Sequence, residues 1–261
     1  MEFLFSSMFL YEYDVESIIE ASARAGYDGI EFWVETPHFW INRKPEELEP
    51  YKERILALHA PVLDLNPVSV NEDVCGLTLK ETLNSIALAK KLGKKIVTIH
   101  AGKRSAAREP VWADYASLEK YLRISTRYAE IKGVKLCLEN SEPGINYLCK
   151  TAEEIERIVN KFNLHITFDI NHAIKNGIEA KKFLMLIDKM ENVHVSGYDS
   201  SGRHVSAIGF DDIAEVLKEL KDLGYDKKLT VELDDLGIGE LDFKSKIEIL
   251  KKELDFLRSI F

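Results

Sequence analysis

Short apolar runs recur along the chain between longer stretches whose apolar positions fall at helical spacing, a pattern that predicts parallel strands joined by helical crossovers. The predicted strands cover residues 3–6, 29–33, 59–65, 95–100, 135–139, 165–169, 193–196 and 229–232. Helix boundaries carry their own signals. Asp14 is placed to cap the first helix, Pro45 to start the second, and Thr151 with Glu154 to form a capping box. Gly93, Gly133 and Gly224 close three others, where a left-handed residue is commonly needed. In the fourth helix Tyr115, Leu118, Leu122, Tyr128 and Ala129 repeat at helical spacing, which predicts a core-facing stripe. Eight βα repeats run through residues 1–261, and no GxGxxG follows the first strand. The expectation is a single-domain α/β fold, a (β/α)8 TIM barrel rather than an open doubly wound sheet.

Strand side chains alternate between faces, so parity separates residues that enter the barrel from those that meet the helices. In the fourth strand Val97 and Ile99 suit the helix side, leaving Ile96, Thr98 and His100 inward. The same reading turns Cys137 and Glu139 inward in the fifth strand, Thr167 and Asp169 in the sixth, His194 and Ser196 in the seventh, and Thr230 and Glu232 in the eighth. His59 is read as opening the third strand, and the parity of Glu31, set among Ile30, Phe32 and Trp33, stays open. Glu139, Asp169 and Glu232 thus gather at strand C-terminal ends, where barrel enzymes build their active sites. Three partly buried carboxylates repel unless they are protonated, paired or bound to a cation, and neighbouring histidines favour the cation. His165 begins its strand at the opposite end and reads as structural. His38, between Pro37 and Phe39–Trp40, belongs either to a substrate lid or to a packed aromatic cluster. Residues 34–44 and 102–111 are the longest candidate lids.

Composition narrows the function classes. A chain of 261 residues, 46% hydrophobic, can bury a large core. Its formal net charge of -9 gives no general attraction to phosphate backbones, although a local basic groove is compatible with an acidic protein. No apolar run approaches the ~20 residues of a membrane span, and the first residues lack a basic n-region, so a soluble cytoplasmic protein is expected. Cys75, Cys137 and Cys149 are odd in number and lack CxxC spacing; they read as structural.

At these strand ends the sequence resembles the xylose isomerase-like barrel superfamily, which includes endonuclease IV, epimerases of the tagatose 3-epimerase type and inositol-catabolism isomerases. The segments that carry the likeness are His59-Ala60-Pro61, Ile99-His100-Ala101-Gly102, Leu138-Glu139-Asn140, Phe168-Asp169-Ile170-Asn171-His172, Arg203-His204 with Ile208-Gly209, and Val231-Glu232. Taken in this order they span nearly the whole chain. In the endonuclease IV branch, which binds three zinc ions, the resemblance makes His59, His100, Glu139, Asp169, His172, His204 and Glu232 metal ligands. Ser196 stands where a seventh-strand histidine is expected, with Asp199 keeping the spacing, and Gly202 stands where an aspartate is expected. In the epimerase and isomerase branch one metal is implied on Glu139, Asp169 and Glu232, with Ser196 again departing. His194, two residues earlier, is a substitute read as one layer deeper.

The resemblance implies a sugar or polyol isomerase or epimerase that uses Mn, Mg or Zn and works through an enediolate. Glu139 and Glu232 would exchange the proton, while His59, His100, His172 and His204 would contact metal or substrate. Arg203 or Lys103 would meet a substrate phosphate or carboxylate. The partner implied is a small carbohydrate or polyol, and a homo-oligomer stays open. Two alternatives remain: a zinc phosphodiesterase for abasic-site DNA, and a non-catalytic sugar-binding barrel.

Overall fold

The computed structural model describes residues 1–234 and 241–261. Eight parallel strands follow one another along the chain: β1 (Glu2–Ser6), β2 (Gly29–Trp33), β3 (Ile55–His59), β4 (Ile96–His100), β5 (Lys135–Glu139), β6 (His165–Asp169), β7 (Met190–Val195) and β8 (Lys228–Val231). They close in the order β1-β8-β7-β6-β5-β4-β3-β2, which is the (β/α)8 TIM barrel expected. The helices are α1 (Val15–Ala25), α2 (Pro37–Asn42), α3 (Glu72–Lys91), α4 (Trp112–Lys132), α5 (Ala152–Phe162), α6 (Ile170–Lys175), α7 (Asp211–Asp222) and α8 (Phe243–Ile260). Among the described residues, none of these is long and apolar enough to cross a membrane.

Most boundary signals act as their chemistry dictates. The Asp14 carboxylate accepts the Ser17 N–H, and the Thr151 hydroxyl accepts that of Glu154. The capping box at Thr151 is modified, because the Glu154 carboxylate takes the Lys150 N–H. Gly133 ends α4 at φ 69°, a conformation that side-chain-bearing residues avoid. Leu118, Leu122 and Ala129 of α4 are buried, whereas Tyr115 and Tyr128 are only half-buried. All three cysteines are free thiols. Burial pushes the Cys149 thiol well above its usual range, as suits a packing role.

Two crossovers differ from the sequence reading. The third strand was expected at residues 59–65 but ends at His59. Pro61 supplies no N–H, Asp64 adopts φ 57° and Leu63 is exposed, so this stretch turns while the preceding Ile55-Leu56-Ala57-Leu58 run forms the strand. His59 therefore stands at the C-terminal end of its strand rather than at its start. Nor does Pro45 begin a long helix. The short α2 stops at Arg43, φ 48°, and two 3-10 turns follow, Pro45–Glu47 and Glu49–Tyr51. Pro37, Pro45 and Pro50 each remove a donor and restrict the preceding residue, which keeps this segment broken.

Contacts group the residues into two compact units. One comprises Met1–Leu56, Asp169–Asn171 and Asn192–Phe261; the other comprises Ala57–Phe168 and His172–Glu191.

Candidate active site

In the unit containing β4 and β5, strand register fixes the first cluster. His100 and Glu139 are paired positions across the two strand ends, and His59 closes β3 beside Thr98 of β4. The Nε2 of His100 lies 2.8 Å from Glu139 Oε2, that of His59 lies 3.4 Å from the same oxygen, and the two nitrogens are 3.2 Å apart. His59 Nδ1 is 2.8 Å from the Ala60 carbonyl. A carbonyl can only accept, so Nδ1 carries a proton and Nε2 is the nitrogen left to face Glu139 and His100. His172 on α6 is held in the same way, with Nδ1 3.0 Å from the Asn140 carbonyl and 3.6 Å from Glu139 Oε1.

Ligand atoms about 2.0–2.1 Å from a tetrahedral zinc stand roughly 3.3 Å from one another. The 2.8, 3.2 and 3.4 Å separations bracket that value, so His59, His100 and Glu139 fit a metal. A cavity of about 260 Å³ opens beside His100, walled in part by Pro61, Asn66, Ile99, Lys103 and Tyr147. Lys103 is exposed at this wall, its Nζ 5.2 Å from the centre of the Tyr147 ring. Asn66 pins that wall by donating to the Lys103 carbonyl at 2.7 Å and accepting its N–H at 3.1 Å.

In the other unit the strand ends bury a network of acids around one imidazole. Glu31 points inward, which settles its parity. Its Oε2 accepts from Asn192 Nδ2 and from His194 Nε2, each at 2.8 Å, and Asn192 Oδ1 accepts the Thr230 hydroxyl at 2.8 Å. The second ring nitrogen of His194, Nδ1, faces Glu232 Oε2 at 2.9 Å. Asp169, His194 and Glu232 offer ligand atoms within 4.8 Å of one another. Glu31, Asp169 and His194 are fully buried and Glu232 is 7% exposed. Buried carboxylates gathered around a single imidazole are chemically suited to a divalent cation, which offsets their repulsion and desolvation.

His194 and Glu31 are the residues that sequence reasoning undervalued. The sequence reading named His194 as a substitute one layer deeper and left Glu31 undecided; in the structure His194 Nε2 faces Glu31 and Nδ1 faces Glu232. Ser196, at the position where a histidine was expected, instead links two polar side chains. Its Oγ lies 2.9 Å from Asn171 Nδ2 and 2.9 Å from His204 Nδ1.

His204 itself comes from a short antiparallel hairpin in which Tyr198 pairs with His204. A Cβ on Gly197 would sit 2.2 Å from the Ser206 carbonyl, so only glycine permits this close return. The turn is closed by Asp199, whose Oδ1 accepts the Ser201 and Arg203 N–H groups and the Ser201 hydroxyl. Those bonds, with the Arg203 N–H foremost, hold its pKa below the usual carboxylate range. Asp199 therefore serves its own turn, and Gly202 supplies the positive φ, 79°, that the turn requires. The Arg203 side chain is exposed.

Two histidines outside these clusters have other roles. His165 Nδ1 lies 3.4 Å from Glu191 at the strand starts, where Lys135 joins the same carboxylate at 2.9 Å. His38 is exposed and reaches the Glu12 carbonyl at 3.3 Å, while its neighbour Phe39 packs edge-on against Phe32.

Comparison with known proteins places these features in context. The family described as xylose isomerase-like TIM barrel matches residues 19–260. The uncharacterised protein MJ1188 of Methanocaldococcus jannaschii is 35% identical, over 98% of this chain and 97% of its own. Among solved structures, a D-tagatose 3-epimerase-like protein superposes with a TM-score of 0.76 at 28% identity, covering 99% of each chain. An IOLI protein with a binding zinc atom superposes with a TM-score of 0.80 over 100% of this chain and 99% of its own, a likeness of fold at 22% identity.

Proposed function

This chain belongs to the xylose isomerase-like TIM-barrel family, and we propose that it is a divalent-metal-dependent isomerase or epimerase of a sugar or polyol. The observation that carries the reading is the buried trio Asp169, His194 and Glu232, two carboxylates and an imidazole whose ligand atoms converge. The 28% identical D-tagatose 3-epimerase-like protein supports the reaction class. In this reading Asp169 and Glu232 would supply the carboxylate ligands and His194 the nitrogen. Bound Mn, Mg or Zn would supply Lewis acidity there.

The remaining work falls to side chains. Glu232 exchanges the proton on the carbon beside the substrate carbonyl. His204 holds a substrate hydroxyl, aimed through its Nδ1 by the Ser196 hydroxyl. Lys103 or Arg203 meets a terminal phosphate or carboxylate if the substrate carries one.

The test is to load the protein with Mn2+ and incubate it in D2O with D-tagatose and other ketoses. Deuterium entering beside the carbonyl, seen by NMR and lost in Glu232→Gln, is the expected result. A loaded enzyme that binds these sugars without exchanging deuterium would instead be a binding barrel.

A second reading is favoured by the near-tetrahedral spacing of His59, His100 and Glu139, a zinc-type set. It is a zinc phosphodiesterase for abasic-site DNA. Incision of an abasic duplex with Zn2+, abolished by Glu139→Gln and unaccompanied by sugar exchange, would put it first.

A further inference from the structure

We propose that Glu31 is the positioning residue of the metal site, holding His194 in the tautomer and orientation that aim Nδ1 at the cation. The inference rests on the metal-dependent reading above. Among the described residues, Glu31 is not one of those whose ligand atoms converge on a metal position, and the reaction as outlined gives it no substrate contact. Yet it is a fully buried carboxylate in the middle of β2, between Ile30 and Phe32, which are also fully buried. An apolar side chain there would avoid the desolvation cost, so packing alone does not account for an acid.

Its contacts give the account. Glu31 Oε2 accepts two N–H groups, from Asn192 Nδ2 and from His194 Nε2, both at 2.8 Å. With Nε2–H given to Glu31, Nδ1 is the ring nitrogen left to bind a cation; it faces Glu232 Oε2 at 2.9 Å. The negative charge on Glu31 also raises the donor strength of the ring toward a cation. Asn192 keeps the acid in place and is itself oriented by the Thr230 hydroxyl. Thr230, Asn192, Glu31 and His194 thus form a polar chain from β8 through β7 and β2 to a metal-facing nitrogen.

Cobalt affinity of the full-length metal-free chain tests the inference. Co2+ is titrated by visible absorption and by competition with a chelator, in a His100→Ala background so that the other ligand group adds no signal. Circular dichroism and melting of each metal-free variant establish that it is folded. Glu31→Gln keeps an acceptor for Nε2–H but loses the charge, and Glu31→Asp keeps the charge but withdraws it from the ring. The expected result is a Kd raised about 10- to 100-fold in Glu31→Gln, the usual cost of losing an outer-sphere partner, with a smaller rise in Glu31→Asp. A purely structural role would lower the melting temperature and leave Kd unchanged. Affinity equal to that of the Glu31 parent in a folded Glu31→Gln overturns the inference while leaving the metal-dependent reading intact. Should Glu31→Gln fail to fold, Glu31→Asp decides by the same criterion. A parent that takes up no cobalt overturns the inference and the metal-dependent reading together.

Discussion

The two units solve the burial of histidines and acids in opposite ways. Around Glu139 the two imidazoles meet a carboxylate directly, with three donor atoms within 3.4 Å of one another, and His100 keeps 27% of its side chain exposed. Around Glu232 the histidine is fully buried with a carboxylate at each nitrogen, and the acid beyond it is tied to Asn192. The first arrangement is nitrogen-rich, open on one side and spaced like a zinc shell; the second is oxygen-rich and braced from within the barrel, as suits a harder cation and a fixed acid–base group. Donor type and exposure therefore separate a partly open, nitrogen-rich group from a buried, oxygen-rich one that Glu31 and Asn192 brace.

The sharpest test of this contrast is Glu232→Gln. If Glu232 is the acid–base group, deuterium exchange falls by about 10²- to 10⁴-fold, the range typical of general acid–base catalysis, while the melting temperature stays near that of wild type. Exchange at the wild-type rate in a folded Glu232→Gln would move the reacting acid elsewhere and dissolve the distinction.

Next in size is Glu139→Gln, read by zinc content and affinity. Removing the charge shared by His59 and His100 should weaken zinc at that group by at least 10-fold, with no comparable change in the cobalt affinity of His59→Ala or His100→Ala variants that keep Glu139. Equal losses of both metals in all three variants would mean that the two groups answer as one and that the comparison is wrong.

Much of this arrangement was legible from sequence, and the exceptions have physical causes. Parity placed His100, Glu139, Asp169 and Glu232 at strand ends because each has branched or aromatic neighbours on the helix side, such as Val97 and Ile99 or Ile166 and Phe168. The same rule left Glu31 undecided, since Ile30 and Phe32 flank it and a strand buried on both faces shows no alternation. His59 was assigned to the wrong end of its strand because Val62, Leu63 and Leu65 look strand-like. Only the turn, with Leu63 exposed and Asp64 at positive φ, shows otherwise.

A smaller effect is expected at Ser196. Ser196→Ala removes the hydroxyl between Asn171 and His204, at a cost of about 1 kcal/mol, or roughly fivefold. That loss should appear in substrate KM rather than in metal affinity if His204 holds a substrate hydroxyl. A change in cobalt Kd instead would make Ser196 and His204 part of the metal site and would blur the difference between bracing and capture.

The smallest effect concerns the support behind the His204 hairpin. Glu253 of α8 is 1% exposed; its carboxylate accepts the Ser206 hydroxyl and, at 3.2 Å, the Ala207 N–H. Burial pushes its pKa up from the ordinary carboxyl range, against the opposing pull of those two bonds. A raised carboxyl pKa means that the native state binds the proton more tightly than the unfolded chain. The resulting stability is complete below pH 4.5 and is lost as pH rises through the folded-state value. Glu253→Gln keeps acceptors for Ser206 and Ala207 without the titration. The difference in unfolding free energy, wild type minus variant, should therefore decrease as pH rises from 4 to 7, as denaturant melts at matched pH would measure. A difference that grows over that interval would show that Glu253 is stabilised as the anion. The hairpin would then be braced by charge, as Glu31 braces His194, and the second unit would use one device twice.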